Sequence, residues 1–101
     1  MKKTASAFKA IGEPNRLKIV ELLSSGEKCV CEIEAALDLP QNLVSHHLRV
    51  LREADLITVC CEAQWKHYSL NKKSINSLAK NLQNLTHKKC SNISPRKSCT
   101  L

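Results

Sequence analysis

The chain has 101 residues, only three of them aromatic, and its 16 Lys and Arg outnumber 9 Asp and Glu for a formal charge of +7. That length supports one small domain with a core of Leu, Ile, Val and Ala, which suits helices packed on helices, and a dimer would relieve the thinness of such a core. The basic balance favours a polyanionic partner such as nucleic acid, while two glycines leave no phosphate-binding loop and no ordered nucleophile and base pair argues for an enzyme.

Thr4 to Ile11 reads as a short helix with Ala7, Phe8 and Ile11 on one side, ended by Gly12. A second helix starts at Pro14, whose missing N–H costs nothing in a first turn. Its stripe is Leu17, Val20 and Leu23 with Ile19 beside it, and Ser24, Ser25 and Gly26 close it. After Cys29-Val30-Cys31 comes a short third helix, Glu32 to Leu37, with Val30, Ile33, Ala36 and Leu37 facing inward. Asp38, Leu39 and Pro40 turn the chain into a fourth helix beginning at Pro40 and Gln41.

That fourth helix organises the rest. Leu43, Val44, His47, Leu48 and Leu51 give an inward stripe at helical spacing. Asn42, Ser45, His46, Arg49 and Arg52 lie opposite; all can donate a hydrogen bond to a phosphate or base edge, and none is acidic. Such a face is either a solvated surface or a reader of the major groove. Two short helices joined by a tight turn are the helix-turn-helix arrangement, which favours the second.

Ile57 to Glu62 and Trp65 to Leu70 read as strands around a turn at Ala63 and Gln64, a hairpin or wing with Lys66 near its tip. Ile57, Val59, Tyr68 and Leu70 are its inner positions. Ser74 to His87 forms the last helix, with Ile75, Leu78, Ala79, Leu82 and Leu85 as a narrow apolar stripe. The first and last helices would pack against a second copy in a two-fold dimer, or else cover the core of one. The fold class expected is mainly α with a small β-hairpin, a winged helix-turn-helix over residues 1–87. Lys88 to Leu101 has Pro95 and no periodicity, and so reads as a mobile tail carrying Cys90 and Cys99.

Six cysteines fall short of a disulfide scaffold. Lys9 interrupts the apolar run of Met1 to Glu13, so neither a signal peptide nor a membrane span is expected. The cysteines are expected as thiols in a reducing cytoplasm, where clusters tend to bind metals or act in redox chemistry. Their thiophilic guests are arsenite, antimonite, cadmium, lead, copper(I) and zinc. On an ideal helix Cys29 and Cys31 stand roughly 200° apart, so both would grip one ion only if the first turn of the third helix unwinds. Binding would then distort the helix that positions the reader. The plainer alternative is a pair of small buried hydrophobes.

Cys60 and Cys61, adjacent in a strand, face opposite sides, with one expected in the core. No packing reason demands cysteine at 90 or 99, and a mobile tail could bring one of them to Cys29 and Cys31. The order for a third ligand is Cys90, then Cys99, then Cys60 or Cys61. Three thiolates favour As(III), Sb(III) or Pb(II), whereas zinc prefers four ligands. The same thiols also suit a redox or reactive-sulfur switch in which Cys29 or Cys31 pairs with Cys90. A small metal carrier would leave the face from Asn42 to Arg52 unexplained. His47 is most simply an inner-face histidine and His46 a DNA contact.

Four blocks carry a resemblance: GEPNRLKIVELL at Gly12 to Leu23, CVCEIEAAL at Cys29 to Leu37, VSHHLRVLREADLI at Val44 to Ile57, and WKHYSL at Trp65 to Leu70. In order and spacing they resemble the ArsR/SmtB metal-responsive repressors, dimeric winged-helix proteins of bacteria and archaea. The resemblance implies an apo homodimer on double-stranded operator DNA, with Gln41, Asn42, Ser45, His46, Arg49 and Lys66 as contacts, released by an inducer bound elsewhere. As(III) or Sb(III) is the first expectation for the inducer and Cd(II) or Pb(II) the alternative.

Two departures stand out. Asp55 occupies a position where the family usually has Gly, and Asp tolerates the left-handed backbone common there. Glu34 stands where the family's arsenic sensors often carry a third cysteine. The cadmium sensors add cysteines before the first helix, where Met1 to Ala7 has none, and the Asp and His of the family's last-helix site are missing from Ser74 to Leu85. Zinc or cobalt sensing through that helix is therefore not expected.

Overall fold

A few side chains set the element boundaries. Glu13 is extended at the N-cap of the second helix, and its Oε1 accepts the Arg16 N–H at 2.9 Å, with Pro14 next in the first turn. Asp38 closes the third helix in the left-handed conformation, φ 55°, and Asp55 takes the same conformation, φ 64°, after the fourth. The left-handed backbone expected at Asp55 is present: its N–H donates to the Arg52 carbonyl and the Leu56 N–H to that of Leu51. Asn71 then ties this corner down, its side-chain amide donating to the Asp55 carbonyl at 2.9 Å.

The computed structural model describes residues 2–86. In order they form α1 (Lys2–Ile11), α2 (Pro14–Leu23), β1 (Lys28–Cys29), α3 (Val30–Leu37), α4 (Gln41–Glu53), β2 (Ile57–Glu62), β3 (Trp65–Leu70) and α5 (Lys72–Thr86). His87, Cys90, Cys99 and the expected tail lie outside the described residues. No helix among those described is long and apolar enough to cross a membrane.

The hairpin turns at Ala63 and Gln64 as read from sequence, with Ala63 at φ 57°. Only two strands were expected there, and the sheet has three. Lys28 and Cys29 add a short strand beside β3, giving the antiparallel order β1-β3-β2. Two residues carry no alternation to read, so β1 is invisible in the sequence. In the register Val59 faces Tyr68 and Ile57 faces Leu70, which puts the four expected inner residues on one face. Ile57 and Tyr68 are buried, and Val59 and Leu70 pack partly buried against the core.

Ile19, Leu23, Ile33, Val44, Leu51, Leu56 and Ile57 form the fully buried centre of one apolar cluster, with Leu48 beside them. Several residues expected inside are not. On α2 the buried pair is Ile19 and Leu23, four apart, and Leu17, about 200° from Ile19 on the helix, is 53% exposed. On α4 Leu43 sits one position round from buried Val44 and is exposed. On α1 the small residues Ala7 and Ala10 make the packed face and Phe8 turns outward; Ala36 and Ala79 are also exposed. α3 begins at Val30 rather than Glu32, and α5 at Lys72 rather than Ser74, where the Asn71 side-chain oxygen accepts the Ser74 N–H.

His47 is the buried polar residue of this core. Arg16 Nη1 lies 3.4 Å from its Nδ1, and because a guanidinium only donates, Nδ1 is the acceptor. Arg16 Nε also donates to the Ala10 carbonyl at 2.7 Å, and Glu13 Oε1 stands 3.9 Å from the same imidazole nitrogen. The inner-face histidine expected from sequence is thus satisfied, and it joins α4 to α1 and α2. Burial pushes the imidazole below its ordinary range; Glu13 opposes this, while Arg16 and His46 reinforce it. The unfolded chain therefore takes up this proton more readily than the folded one. Stability contributed by neutral His47 is full above about pH 6.5 and is lost as pH falls through the lower folded value. Melting followed by circular dichroism should show the midpoint dropping between about pH 7 and pH 5, and His47→Gln should flatten that dependence.

Candidate nucleic-acid interface and thiol pocket

α4 starts at Gln41 after an extended Pro40, has no acidic residue in its first turn and carries Arg52 in its last, where a cation suits the helix dipole. With Val44, His47, Leu48 and Leu51 buried, helical geometry turns Asn42, Ser45, His46, Arg49 and Arg52 outward, and all five are exposed. Lys66 joins them from β3. A cleft of about 360 Å³ lies between helix and wing, lined by Asn42, Ser45, Arg49, Arg52 and Lys66 over a floor that includes Tyr68. Among the described residues no carboxylate lies within ion-pair distance of Arg49, Arg52 or Lys66, so the cleft's cations remain open to an outside anion. Three cations and several amide and hydroxyl groups on one concave face are what phosphate and base-edge contacts require.

The cysteines are arranged differently from a pair on a helix. Cys29 is extended, φ −86° and ψ 164°, as the N-cap of α3, and its N–H donates to Glu32 Oε1 at 2.9 Å. Cys31 lies in the first helical turn and is exposed. The separation of 200° applies to two helical residues, and Cys29 is not one; both cysteines line one cavity. A hydrogen bond with the Cys29 side chain raises the Cys31 thiol above its ordinary pKa, helped by the charge of Cys29, slight desolvation and Glu34. Partly buried Cys29 and exposed Cys31 are not the small core hydrophobes of the plainer alternative.

The other candidate ligands are spread out. Cys29 pairs with His67 and His67 with Cys60, so Cys60 stands two strands away from Cys29. Cys61 faces Lys66 and points to the opposite side. Both are exposed, which corrects the expectation that one would be core: this end of the wing reaches beyond the packed cluster. Among the described residues no group of three or more His, Cys, Asp or Glu is placed to hold a metal ion.

Cys29 and Cys31 open into a cavity of about 400 Å³ whose other walls include Gln41 and Ser45 of α4 and Trp65 and Lys66 of the wing. Ser45, Lys66 and Tyr68 line this cavity and the basic cleft alike, so the two adjoin. Sequence reasoning missed Trp65, which is 55% exposed and borders the thiols. A bulky aromatic beside Lys66 at the start of a strand was the signal available. It also missed Glu32, whose carboxylate fixes Cys29 and is held below its ordinary pKa by that backbone hydrogen bond.

Comparison with known proteins gives the arrangement a context. Residues 13–59 match the family described as Bacterial regulatory protein, arsR family. The chain is similar to the Arsenical resistance operon repressor of Bacillus subtilis, with 35% identity over 79 residues covering 77% of this chain and 75% of the relative. Among solved structures it resembles a "possible transcriptional regulator for arsenical resistance", with TM-score 0.73 and 30% identity, covering 79% of this chain and 83% of that one. It shares the fold of a homodimeric winged helix-turn-helix DNA-binding domain from Mycobacterium bovis, with TM-score 0.71 and 24% identity, covering 86% and 81% of the two chains. The chain belongs to the ArsR family of winged helix-turn-helix transcriptional regulators, DNA-binding proteins rather than enzymes.

Proposed function

We propose that a homodimer of this chain represses transcription from double-stranded operator DNA in the cytoplasm and is released by a thiophilic metalloid or metal bound at Cys29 and Cys31. Arsenite or antimonite is the first choice of inducer and Cd(II) or Pb(II) the second. The observation that carries the reading is the lining of the thiol cavity: Cys29 and Cys31 share it with Gln41, Ser45 and Lys66, three of the residues assigned to DNA. The relative named for arsenical resistance supports the choice of ion. A third thiolate comes from Cys90 in preference to Cys99, with Cys60 and Cys61 behind them. Release follows from occupancy, since an ion and its ligands fill space between α3, α4 and the wing that the DNA-bound form needs.

The dimer rests on α1 and α5. These helices lie side by side, with Asn81 Nδ2 donating to Thr4 Oγ1 at 3.4 Å, and they expose Phe8, Leu82 and Leu85. Leu82 and Leu85 continue the stripe of buried Leu78 past the end of the monomer core. An apolar strip of this kind is covered at low cost by the same strip of a second copy.

The deciding experiment titrates As(III), Sb(III), Cd(II), Pb(II) and Zn(II) against the protein on its own upstream DNA, without oxygen and with reductant present, so that release by oxidation is excluded. Cys29→Ser and Cys31→Ser should each keep operator binding and abolish release; a double variant that leaves DNA with the parent's arsenite dependence would refute the site. Arg49→Ala should weaken specific binding by about 1 to 3 kcal/mol. Lys66→Ala should lower affinity evenly across sequences and reduce the salt slope by about one.

Proton release separates the two classes of inducer. Arsenite exchanges hydroxides for thiols with loss of water and no net proton, whereas a divalent cation displaces a proton from each thiol. Because Cys31 holds its proton above the usual thiol range, Cd(II) affinity should fall by about tenfold per pH unit for every proton displaced as pH drops below neutrality. Arsenite affinity should stay nearly level over the same range, as calorimetry in two buffers of different ionisation enthalpy would show.

A further inference from the structure

A further cavity, of about 360 Å³, lies where α1, α5 and the corner after α4 meet, and it shares no lining residue with the DNA cleft or the cysteine cavity. Its floor is apolar, made by Ala7, Leu56 and Leu78, all buried. Its walls carry Lys3 of α1 and Lys73 in the first turn of α5, with Asp55 as the one carboxylate. Among the described residues no carboxylate lies within ion-pair distance of either lysine. The first turn of α5 has no acidic residue, so no carboxylate of its own offsets the positive end of the helix dipole. Thr4 and Asn81, hydrogen-bonded to each other at 3.4 Å, line the same space with a hydroxyl and an amide.

We propose that this cavity binds a small monocarboxylate with a compact apolar body, its carboxylate between Lys3 and Lys73 and its body on Ala7, Leu56 and Leu78. The volume falls within the roughly 300 to 1,000 Å³ of small-molecule sites, and an apolar floor under a few convergent polar groups is their usual build. Two ammonium groups against one carboxylate leave a single positive charge, which matches a monoanion better than a phosphate dianion. An apolar floor also gains nothing from an ion without an apolar part. Phe8 and Leu82 of the exposed strip stand one residue, about 100°, round from Ala7 and Asn81, so the cavity opens beside the strip assigned to a second copy and not beneath it. The site holds no cysteine and is independent of the thiol reading.

The test titrates the full chain, labelled with nitrogen-15 and kept reduced, with sodium phenylacetate at constant ionic strength. Sodium acetate, inorganic phosphate and 2-phenylethylamine serve as controls for the ring, the charge number and the charge sign. Phenylacetate should move the amide resonances of Thr4, Ala7, Leu56, Leu78 and Asn81 along one saturable curve with a Kd of about 1 to 10 mM, the range for a ligand of this size. Acetate should bind at least about tenfold more weakly for want of the ring, and phosphate and phenylethylamine should leave those resonances in place. Lys3→Gln and Lys73→Gln should each weaken phenylacetate by about two- to fivefold, the worth of one exposed charge contact. Ser77→Leu keeps both lysines and fills the cavity, so it should abolish binding; all three positions are exposed and tolerate the change.

Shifts scattered over the whole surface without saturation overturn the inference. So does equal binding of acetate and phenylacetate, or a Ser77→Leu protein that binds phenylacetate as the parent does. The Cys29→Ser, Cys31→Ser double variant should bind phenylacetate with the parent's Kd, and a loss there would place the ligand at the thiols instead.

Discussion

One constraint governs this molecule: α4 must bury Val44, His47, Leu48 and Leu51 together. The helix meets α1, α2, α3 and β2, so a single rotation about its axis buries this stripe. With 3.6 residues per turn, fixing the inner face fixes the outer one, and Ser45, Arg49 and Arg52 point outward as a geometric consequence. The histidine in the stripe sharpens this. A Leu would tolerate a few degrees of roll, but His47 must keep an acceptor nitrogen toward Arg16, which is itself anchored to the Ala10 carbonyl. The reading face is held by packing and by one directional polar contact.

The sheet supplies the second linkage. β1 is only Lys28 and Cys29, yet pairing with Tyr68 and His67 ties the start of α3 to the middle of the wing. Whatever happens at Cys29 is therefore felt on two sides. Along the chain it reaches α3 and the turn into α4, and across the ladder it reaches β3, which carries Trp65 and Lys66. A sensor placed in an ordinary surface loop would have no such connection.

Much of this was legible in the residues. Long periodic segments announced α2, α4 and the inner face of the hairpin, and Pro14, Asp38 and Asp55 marked boundaries for stereochemical reasons that need no tertiary context. What escaped depends on context. Leu17 and Leu43 have the right chemistry for a core but fall off the buried arc, Leu17 about 200° from Ile19 and Leu43 one position from Val44. Phe8 is displaced because Ala7 and Ala10 allow a closer approach. β1 is too short for any period, and its existence is decided by the register of a strand almost 40 positions away. The site was half legible for the same reason. Cys29 and Cys31 draw attention by type and spacing, but Trp65 reaches them only through the hairpin, and whether the pair could share a cavity turned on where α3 begins.

The position of Cys29 at the head of α3 has one more implication. A helix start is best served by a side-chain oxygen, and sulfur is a weak acceptor, so Ser, Thr or Asp there would hold α3 more firmly, by some part of the roughly 0.5 to 2 kcal/mol that good caps contribute. Robustness and responsiveness thus pull this position in opposite directions. A programme that selects variants of this protein only for heat tolerance should drift toward an oxygen at position 29, and would deliver a sturdier winged helix that still grips DNA and no longer hears its signal.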